Sequence, residues 1–383
     1  MARIVAVAEN FAFGPISKLL TITEQLLKQG HDITFIGEGT AYQLGKKQKF
    51  TKIYHHNTDG VDYKKWAKPI FQKADVLLSS GDRSSILLAQ EIGLPTIWLD
   101  ILFWWWDDIP EYLLNADLYI QQNSLYNGRN MKRYANKTKN MKIVGPIIDL
   151  QYHKEKLKNQ LLIAFGGMEA AGWYQIGKDS NYPYTISQLI INKIDTSDYK
   201  SVLFVGNERI TKDLSKKYGT DKFRFVMLPH NEMLYEMARS EDILMVPGLE
   251  TPLEAFAYNQ PIFFLPPSNS SQYVQLDEFR KFKLATKINS IHFADYYPYK
   301  NLAGKNLRHI MEVFLKELSR FEHSDSVLES CAERINNYLH QSKREKLKQI
   351  DNEKKFIASI GGNGLKESVS LINKFITAQR KRR

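Results

Sequence analysis

The sequence predicts an α/β protein built from two doubly wound, parallel-sheet domains, with helices at its C-terminal end. The chain has 383 residues, which is more than one hydrophobic core usually organises. Strand-like and helix-like segments alternate along the first half, and the same alternation starts again near residue 161. Such alternation is typical of parallel sheets that are covered by helices on both faces.

The first half shows the alternation clearly. Ile4–Ala8 is apolar and rich in β-branched residues, which predicts a first strand. Apolar residues then recur with helical spacing over Pro15–Gln29, and Gly30 is expected to end that helix. A further helix is predicted near Ser84–Ile92. The other predicted strands are Ile33–Ile36, Val76–Leu78, Thr96–Leu99, Leu118–Gln121 and Ile143–Val144.

The second half contains five predicted strands that each end in glycine or proline: Leu161–Phe165, Ser201–Val205, Phe223–Met227, Ile243–Val246 and Ile262–Leu265. Open α/β sheets bind ligands at the carboxyl ends of their strands. These turns therefore predict a ligand-binding edge. We expect an N-terminal domain at 1–149, a linker at 150–160 and a C-terminal domain at 161–383, with the last helix packing back on the N-terminal domain.

Composition narrows the class of protein. The only cysteine is Cys331, which excludes an intrachain disulfide and a cysteine-based zinc cluster. The N-terminus lacks the pattern of a secretory signal, and no apolar run reaches the roughly 18 residues of a spanning helix. These features predict a cytoplasmic protein.

The net charge of +11 is unevenly distributed. No carboxylate lies between Asp117 and Asp149, a region that contains six cations from Arg129 to Lys142, and the chain ends in four consecutive cations. Clustered cations attract phosphate-bearing partners, whether lipid head groups, nucleotides or nucleic acid. Of these, peripheral contact with an anionic membrane is expected, and a nucleic-acid partner is not. A solvated basic surface is the alternative interpretation.

The most informative stretch is Val246–Pro261. A strand ends at Pro247, Gly248 follows, and Thr251 is a plausible N-cap with Pro252 in the first turn. Glu254 then stands three residues after Thr251, as in a capping box. The free N–H groups of a helix start behind a glycine suit a diphosphate, and Glu254 would alternatively accept hydrogen bonds from a ribose diol. A capped helix without a ligand is the competing interpretation.

This stretch resembles the donor motif of the GT-B nucleotide-sugar glycosyltransferases, which include bacterial UDP-glycosyltransferases and the GlcNAc transferase of peptidoglycan synthesis. The positions that match the motif are Gly248, Thr251, Glu254, Ala255, Pro261, Pro266 and Gln272. The resemblance implies two Rossmann-like domains facing a cleft. It departs from the pattern at Pro247, where the family often has histidine or serine.

The resemblance also implies which residues bind the donor. The diphosphate would meet Gly248, Leu249 and Thr251, with the glycine loop of Gly166 and Gly167 approaching from the opposite side. Glu254 would bind the ribose, and backbone groups around Leu228 would read the edge of the base. The hydroxyls of the donor sugar would be bound by Gln272 and Asn269.

The usual catalytic histidine of this family is absent. Alignment on Pro15 puts Ala12 at its position in the loop Asn10–Pro15. A transferase that inverts configuration needs a base for the acceptor hydroxyl. We therefore assign Asp82 and Glu9 as candidate bases. Asp100 and Asp107 are further substitutes, and ordinary capping or solvated carboxylates remain the alternative for each.

An aromatic run precedes Asp107 and Asp108. Trp104, Trp105 and Trp106 cannot all face one core, because successive side chains point in different directions. Aromatic faces bind sugar rings, flat rings and membrane interfaces, so the three indoles, Asp107 and Phe13 are assigned to the acceptor. Packing in the protein interior is the alternative.

The sequence thus predicts a glycosyltransferase that moves a sugar from a nucleotide-diphosphate sugar, with UDP favoured, to an acceptor that it does not identify. No cofactor and no metal are expected, because the helix dipole and backbone would neutralise the diphosphate, and the histidines lack metal-ligand spacing. Two other functions remain open. One is a non-catalytic nucleotide-sugar sensor or partner subunit, and the other is a sugar-nucleotide epimerase.

Overall fold

The computed structural model of the chain describes residues 1–106, 108–124, 127–134, 137–138, 140–152, 158–169, 174–298 and 307–382. It forms two compact units. The first comprises Met1–Asp149 together with Ile357–Arg383, and the second comprises Leu150–Phe356. The residues of the expected linker, 150–160, belong to the second unit, although 153–157 lie outside the described residues. The domain limits proposed from sequence stay a prediction.

The first unit contains a parallel sheet with the strand order β3-β2-β1-β4-β5-β6-β7. Its strands are β1 Arg3–Ala8, β2 Asp32–Gly37, β3 Lys52–His55, β4 Val76–Ser80, β5 Thr96–Asp100, β6 Leu118–Gln122 and β7 Met141–Val144. The helices in the Met1–Asp149 part of this unit are α1 Gly14–Lys28, α2 Gly39–Gly45, α3 Tyr63–Phe71, α4 Arg83–Glu91, α5 Glu111–Leu114 and α6 Asn127–Tyr134. The sequence pattern does not predict β3, a short strand at the sheet edge whose residues are half-buried or exposed.

The second unit contains a five-stranded parallel sheet with the order β10-β9-β8-β11-β12. Its strands are β8 Lys158–Gly166, β9 Ser201–Gly206, β10 Phe223–Val226, β11 Ser240–Met245 and β12 Ile262–Phe264. The helices are α7 Tyr182–Lys193, α8 Glu208–Tyr218, α9 His230–Arg239, α10 Glu250–Ala257, α11 Ser270–Lys281, α12 Leu307–Glu322, α13 Asp325–Leu339 and α14 Lys343–Ser359, with a 3₁₀ turn at Phe293–Asp295. The last three residues of α14 belong to the first unit. The predicted α/β fold of two doubly wound sheets with C-terminal helices is confirmed.

The last helix, α15 Leu365–Arg382, belongs to the first unit, where it packs on α1, β6 and β7. The segment before it is anchored by backbone contacts. Gly145 has no room for a Cβ, because the carbonyl oxygen of Gly362 would lie 2.3 Å from that atom. Gly364 N also donates to Pro146 O at 2.8 Å. Close backbone approach therefore explains the glycines at this position.

Each sheet has one topological switch point. The chain extends from β1 to β2 and β3 on one side and then returns to place β4 on the other, so the first switch point lies between β1 and β4. By the same reasoning the second lies between β8 and β11. The carboxyl ends of the strands at a switch point are the usual binding position in such sheets. These two positions are therefore the candidate binding positions of the two sheets.

Glu353 is a buried carboxyl group in the second unit. It lies on α14 and accepts a hydrogen bond from Gln349 Nε2 at 2.8 Å, and burial raises its pKa to about 8. The folded protein therefore holds a proton that the unfolded chain, with a pKa of 4.5, has already released. The free energy of unfolding is expected to fall as pH rises from about 4.5 to about 8.

Replacing Glu353 by glutamine should remove this loss of stability. We expect Glu353→Gln to raise the Tm at pH 8 and to change it little at pH 4.5, measured by thermal unfolding across that range. Asp351→Asn is the matched control, because Asp351 is an exposed carboxylate on the same helix. An equal change in Tm at both pH values would contradict a raised pKa of Glu353 in the folded protein.

Candidate functional site

The second switch point contains the start of helix α10. Gly248 N donates to Val246 O at 2.8 Å, which forms a tight turn directly after β11. A Cβ added to Gly248 would meet no atom within 4 Å, so the space in front of this turn is open. The helix begins at Glu250, and its first N–H groups have no acceptor within the helix. The turn therefore presents amide donors at the positive end of a helix dipole.

The predicted capping arrangement at this helix is wrong. Leu249 is the N-cap and offers no side-chain hydrogen bond, so Thr251 is the second helical residue and Pro252 the third. Leu249 already has helical dihedral angles (φ −79°, ψ −51°), and proline is tolerated throughout the first turn. The backbone geometry of the turn, rather than a hydroxyl cap, therefore decides where the helix starts. The side chain of Glu254 consequently has another role.

Glu254 is buried and hydrogen-bonded to a histidine. Its Oε1 lies 3.0 Å from His230 Nε2, and the two side chains are 4% and 12% exposed. His230 is the first residue of α9, which follows β10 and Pro229. This contact fixes the orientation of the carboxylate before any ligand binds. His230 is not among the site residues predicted from sequence, although its place after a strand that ends in proline was a usable signal.

The loop after β8 lies beside this turn. Val246 N donates to Ala164 O at 3.1 Å, which joins the end of β11 to the end of β8. Gly166 adopts the left-handed conformation (φ +67°), as a glycine can without strain. The carbonyl of Gly167 accepts from Glu169 N at 2.7 Å and from Asn207 Nδ2 at 3.4 Å. The two glycine loops are therefore neighbours at the switch point.

Leu228 lies between β10 and α9, at the same edge of the sheet. Its N–H and C=O make no backbone–backbone hydrogen bond with the described residues. Both groups are thus available to a ligand.

Asn269 and Gln272 build the loop before α11. Asn269 is the N-cap of that helix, and its Oδ1 accepts from Gln272 N at 3.0 Å. Gln272 Oε1 accepts from Ser268 N at 2.7 Å and from Ser268 Oγ at 2.9 Å. Neither side-chain amide nitrogen bonds to a described residue, so each can still donate to a ligand.

Glu9 lies at the first switch point. Its N–H donates to Ser80 O at 2.9 Å, and a Cβ added to Gly81 would lie 2.8 Å from Glu9 Oε2. Burial, followed by the charge of Asp82, raises the pKa of Glu9 to about 7, while Arg83 opposes the shift. Its carboxylate makes no hydrogen bond with the described part of the chain. Glu9 therefore combines a pKa near neutrality with a free carboxyl group, which suits proton transfer.

Asp82 and Asp100 are more firmly held. Asp82 is the N-cap of α4 and accepts from Ser85 N at 2.8 Å, and burial raises its pKa against hydrogen bonds from Ser85 and Thr58. Asp100 accepts from Leu102 N at 2.8 Å, from Trp106 Nε1 at 3.3 Å and from Tyr119 Oη at 2.5 Å. Hydrogen bonds to these two carboxylates therefore hold the backbone that follows β4 and β5.

The aromatic run follows β5. Trp104 is buried, whereas Trp105 and Trp106 are half-buried, and the rings of Trp104 and Trp105 meet edge to face at 5.4 Å. The guanidinium of Arg83 lies 4.6 Å from the ring centroid of Trp106. Asp107 lies outside the described residues.

Phe13 is half-buried and is the N-cap residue of α1. The structure therefore places Phe13 and the aromatic run after strands of the same sheet. In the described part of the chain, no three His, Cys, Asp or Glu side chains are grouped to hold a metal ion, and no helix is long and apolar enough to cross a membrane.

Comparison with solved structures identifies the fold. The calicheamicin glycosyltransferase CalG4 matches with a TM-score of 0.55 and 11% identity, covering 99% of both chains. A UGT transferase from Siraitia grosvenorii in complex with UDP matches with a TM-score of 0.53 and 10% identity, covering 99% of this chain and 100% of the other. The chain therefore has the fold of the GT-B glycosyltransferases, as its sequence predicts.

A third similar structure is Anabaena Alr3699/HepE in complex with UDP and glucose, with a TM-score of 0.51, 10% identity and full coverage of both chains. No protein-family model and no curated protein matches the sequence. At sequence identities of 10–11%, these similarities show the fold alone.

Proposed function

We propose that this chain is a glycosyltransferase that moves a sugar from a UDP-sugar to an acceptor hydroxyl. The observation that carries the proposal is the second switch point, where the open amide turn at Gly248 lies at the start of α10 and the buried carboxylate of Glu254 is oriented by His230. The similar UGT transferase from Siraitia grosvenorii is in complex with UDP, and the similar Anabaena Alr3699/HepE is in complex with UDP and glucose. Anionic diphosphates bind at helix N-termini of this kind.

The donor would be bound in three parts. The diphosphate would accept hydrogen bonds from the amides of Gly248, Leu249 and Thr251, with Gly166 and Gly167 beside it. Glu254 would accept from the ribose hydroxyls, and backbone groups of Leu228 would pair with the base. The amide nitrogens of Asn269 and Gln272 would donate to hydroxyls of the donor sugar.

The first switch point would supply the base. In this proposal Glu9 accepts the proton of the acceptor hydroxyl as its oxygen bonds to the anomeric carbon, and the bond from that carbon to the diphosphate breaks to release UDP. Asp82 contributes through its charge, which helps to keep the pKa of Glu9 near 7. Transfer is proposed to be metal-independent, because amides and the α10 dipole would stabilise the leaving diphosphate.

Incubation with UDP-glucose and UDP-N-acetylglucosamine tests the function. Release of UDP, together with a rise in Tm when UDP is added, is expected, and EDTA should leave the rate unchanged. A rise in Tm without any release of UDP, even with a broad set of acceptors, would favour the non-catalytic sensor. That second function has one observation in its favour, since Ala12 occupies the position of the family's usual histidine.

Peripheral membrane contact is a separate proposal. Lys132, Lys137 and Lys142, which lie in the cation-rich region from Arg129 to Lys142, are exposed. Sedimentation with anionic phosphatidylglycerol vesicles is expected at low salt and should fall steeply as salt rises. Substituting glutamine for these three lysines should reduce it. The matched control replaces the exposed lysines Lys212, Lys216 and Lys217 of α8, and equal losses in both variants would contradict a specific surface.

A further inference from the structure

The glycine loop after β8 contains a strained residue. Met168 is not a glycine, yet its φ is +60°, and Glu169 N donates to Gly167 O at 2.7 Å across it. A hydrogen bond that spans one residue of positive φ is the rare and strained form of the γ-turn. The side chain of Met168 is nevertheless buried, so its neighbours in the folded chain hold this conformation.

Packing against β9 is one part of what holds the turn. A Cβ added to Gly206 would lie 2.5 Å from Met168 Cε, so the methionine fills the space that this glycine leaves. Gly206 is the last residue of β9 and is in register with Gly166, where the ladder between β8 and β9 is irregular. The turn is therefore seated on the carboxyl end of β9.

The carboxylate of Glu169 is the second part. Its Oε1 accepts from Arg209 Nη2 and, at 3.2 Å, from Ile176 N, and its Oε2 accepts from Asn207 Nδ2 at 3.1 Å. Arg209 Nη2 also donates to Ile176 O at 3.2 Å. One carboxylate thus joins the turn to the start of α8. We call Glu169, Asn207 and Arg209 the loop clamp.

Asn207 links the loop clamp directly to the backbone of the glycine loop. This side chain is buried, and it is the N-cap of α8, where its Oδ1 accepts from Arg209 N at 2.9 Å. Its Nδ2 donates to Gly167 O at 3.4 Å as well as to Glu169. Bonds at both ends of the amide settle its orientation. The amide therefore couples the first turn of α8 to the glycine loop.

A strained turn persists where its surroundings determine it, and such turns are concentrated at functional sites. Glycine at position 168 would adopt the same φ without strain, so contacts rather than residue type hold this conformation. A loop that already has its binding shape does not have to be ordered when a ligand binds, which increases affinity. The loop clamp supplies that order at the carboxyl edge of the sheet, where ligands of such folds bind.

The loop clamp also balances charge beside the glycine loop. A lone carboxylate there would repel a diphosphate, since charges interact over about 10 Å at 0.1 M salt. The guanidinium of Arg209 pairs with Glu169, and the two side chains are 58% and 20% exposed. Arg209 thus neutralises the carboxylate that anchors the turn.

We propose that the loop clamp positions the glycine loop of Gly166 and Gly167 to receive the donor diphosphate. Glu169 and Asn207 fix the backbone of the loop, and Arg209 cancels the negative charge of Glu169. The inference rests on the proposed function, and it adds residues that act on diphosphate binding through the loop.

Calorimetry with UDP and with uridine tests this inference, because uridine lacks the diphosphate. Glu169→Ala should raise the dissociation constant of UDP about tenfold or more and should leave that of uridine unchanged. Glu169→Gln should cause a smaller loss, because its amide oxygen still accepts hydrogen bonds. A role in stability alone would lower the Tm without separating the two ligands.

Arg209→Gln tests the charge balance. It should weaken UDP binding, and its difference from the unmodified protein should shrink as salt rises, because salt screens the exposed carboxylate. The double variant Glu169→Gln/Arg209→Gln, which removes both charges, should bind UDP more tightly than Arg209→Gln alone. Glu241→Ala is the matched control and should bind UDP normally, since Glu241 is an exposed carboxylate at the start of β11, at the opposite edge of the same sheet.

Unchanged UDP affinity in Glu169→Ala, or an equal loss of UDP and uridine affinity, overturns the inference. UDP binding and UDP release by the unmodified protein would still leave the glycosyltransferase proposal standing. Inorganic pyrophosphate covers the converse case. If it raises the Tm of the unmodified protein but not that of Glu169→Ala, while UDP does not bind, the loop clamp is supported and a UDP-sugar donor is contradicted. If neither pyrophosphate nor UDP raises the Tm, both proposals are overturned.

Discussion

Glu9→Gln is expected to lower turnover by about 10²–10⁴-fold, the usual contribution of a general base. The substitution keeps the size of the side chain and removes only its ability to accept a proton. UDP binding should not change, because Glu9 is in the first unit and the proposed donor residues are in the second. Steady-state kinetics with a UDP-sugar, together with calorimetry of UDP, would measure both quantities.

The pH dependence of the rate tests the same role. A base with a pKa of about 7 is protonated and inactive at low pH, so kcat/KM should rise with pH and level off above about 7. Arg83 lowers the pKa of Glu9, so Arg83→Gln should move the midpoint to higher pH. Asp59 raises this pKa, so Asp59→Asn should move the midpoint slightly to lower pH while preserving the maximal rate.

An unchanged rate in Glu9→Gln would exclude this residue as the base. The expected alternative would then be Asp82, whose substitution also removes the N-cap of α4 and therefore lowers stability by roughly 0.5–2 kcal/mol. A comparison of Tm with turnover separates the two effects, because loss of the helix cap lowers the Tm, whereas loss of the base lowers turnover.

Glu254→Ala is expected to weaken binding of the nucleotide sugar by about 1–3 kcal/mol, which corresponds to a rise in dissociation constant of roughly 5- to 150-fold. The substitution removes an acceptor for the ribose and leaves His230 without its partner at 3.0 Å. Calorimetry of UDP would measure the loss. Glu254→Gln should cause a smaller loss, because the amide oxygen can still accept.

Two further variants make this test specific. Glu232→Ala removes an exposed carboxylate on α9, close to His230 in sequence, and should bind UDP normally. His230→Ala should weaken binding less than Glu254→Ala, because His230 acts by orienting the carboxylate. Normal UDP affinity in Glu254→Ala would remove this residue from the proposed site.

Local patterns allowed much of the fold to be predicted. Apolar runs with β-branched residues located most strands of both sheets, and the predicted helix Pro15–Gln29 corresponds to α1 at Gly14–Lys28. Glycine and proline after the strands of the second half marked the edge at which α10 begins. Such signals succeed because side-chain periodicity and turn chemistry depend on neighbouring residues alone.

The candidate site was predicted only in part. The residue types around Gly248 and Glu254 indicated a diphosphate-binding turn, but the hydroxyl cap assigned to Thr251 was wrong because the helix starts earlier. Asp82 and Glu9 looked equivalent in sequence. In the structure Asp82 is a helix cap, whereas Glu9 has a free carboxyl group, and their different surroundings give them different chemistry.

The sequence alone determined the class of fold, the order of its strands along the chain and the edge where glycine turns gather, because each follows from short-range spacing. Tertiary structure decided which distant groups meet. It brought His230 to Glu254, placed Glu9 against Gly81, returned α15 to the first unit and brought Asn130 to the carbonyl of Trp106. The physical reason is that burial and charge–charge contact depend on the packed neighbours of a side chain, and sequence distance does not specify those neighbours.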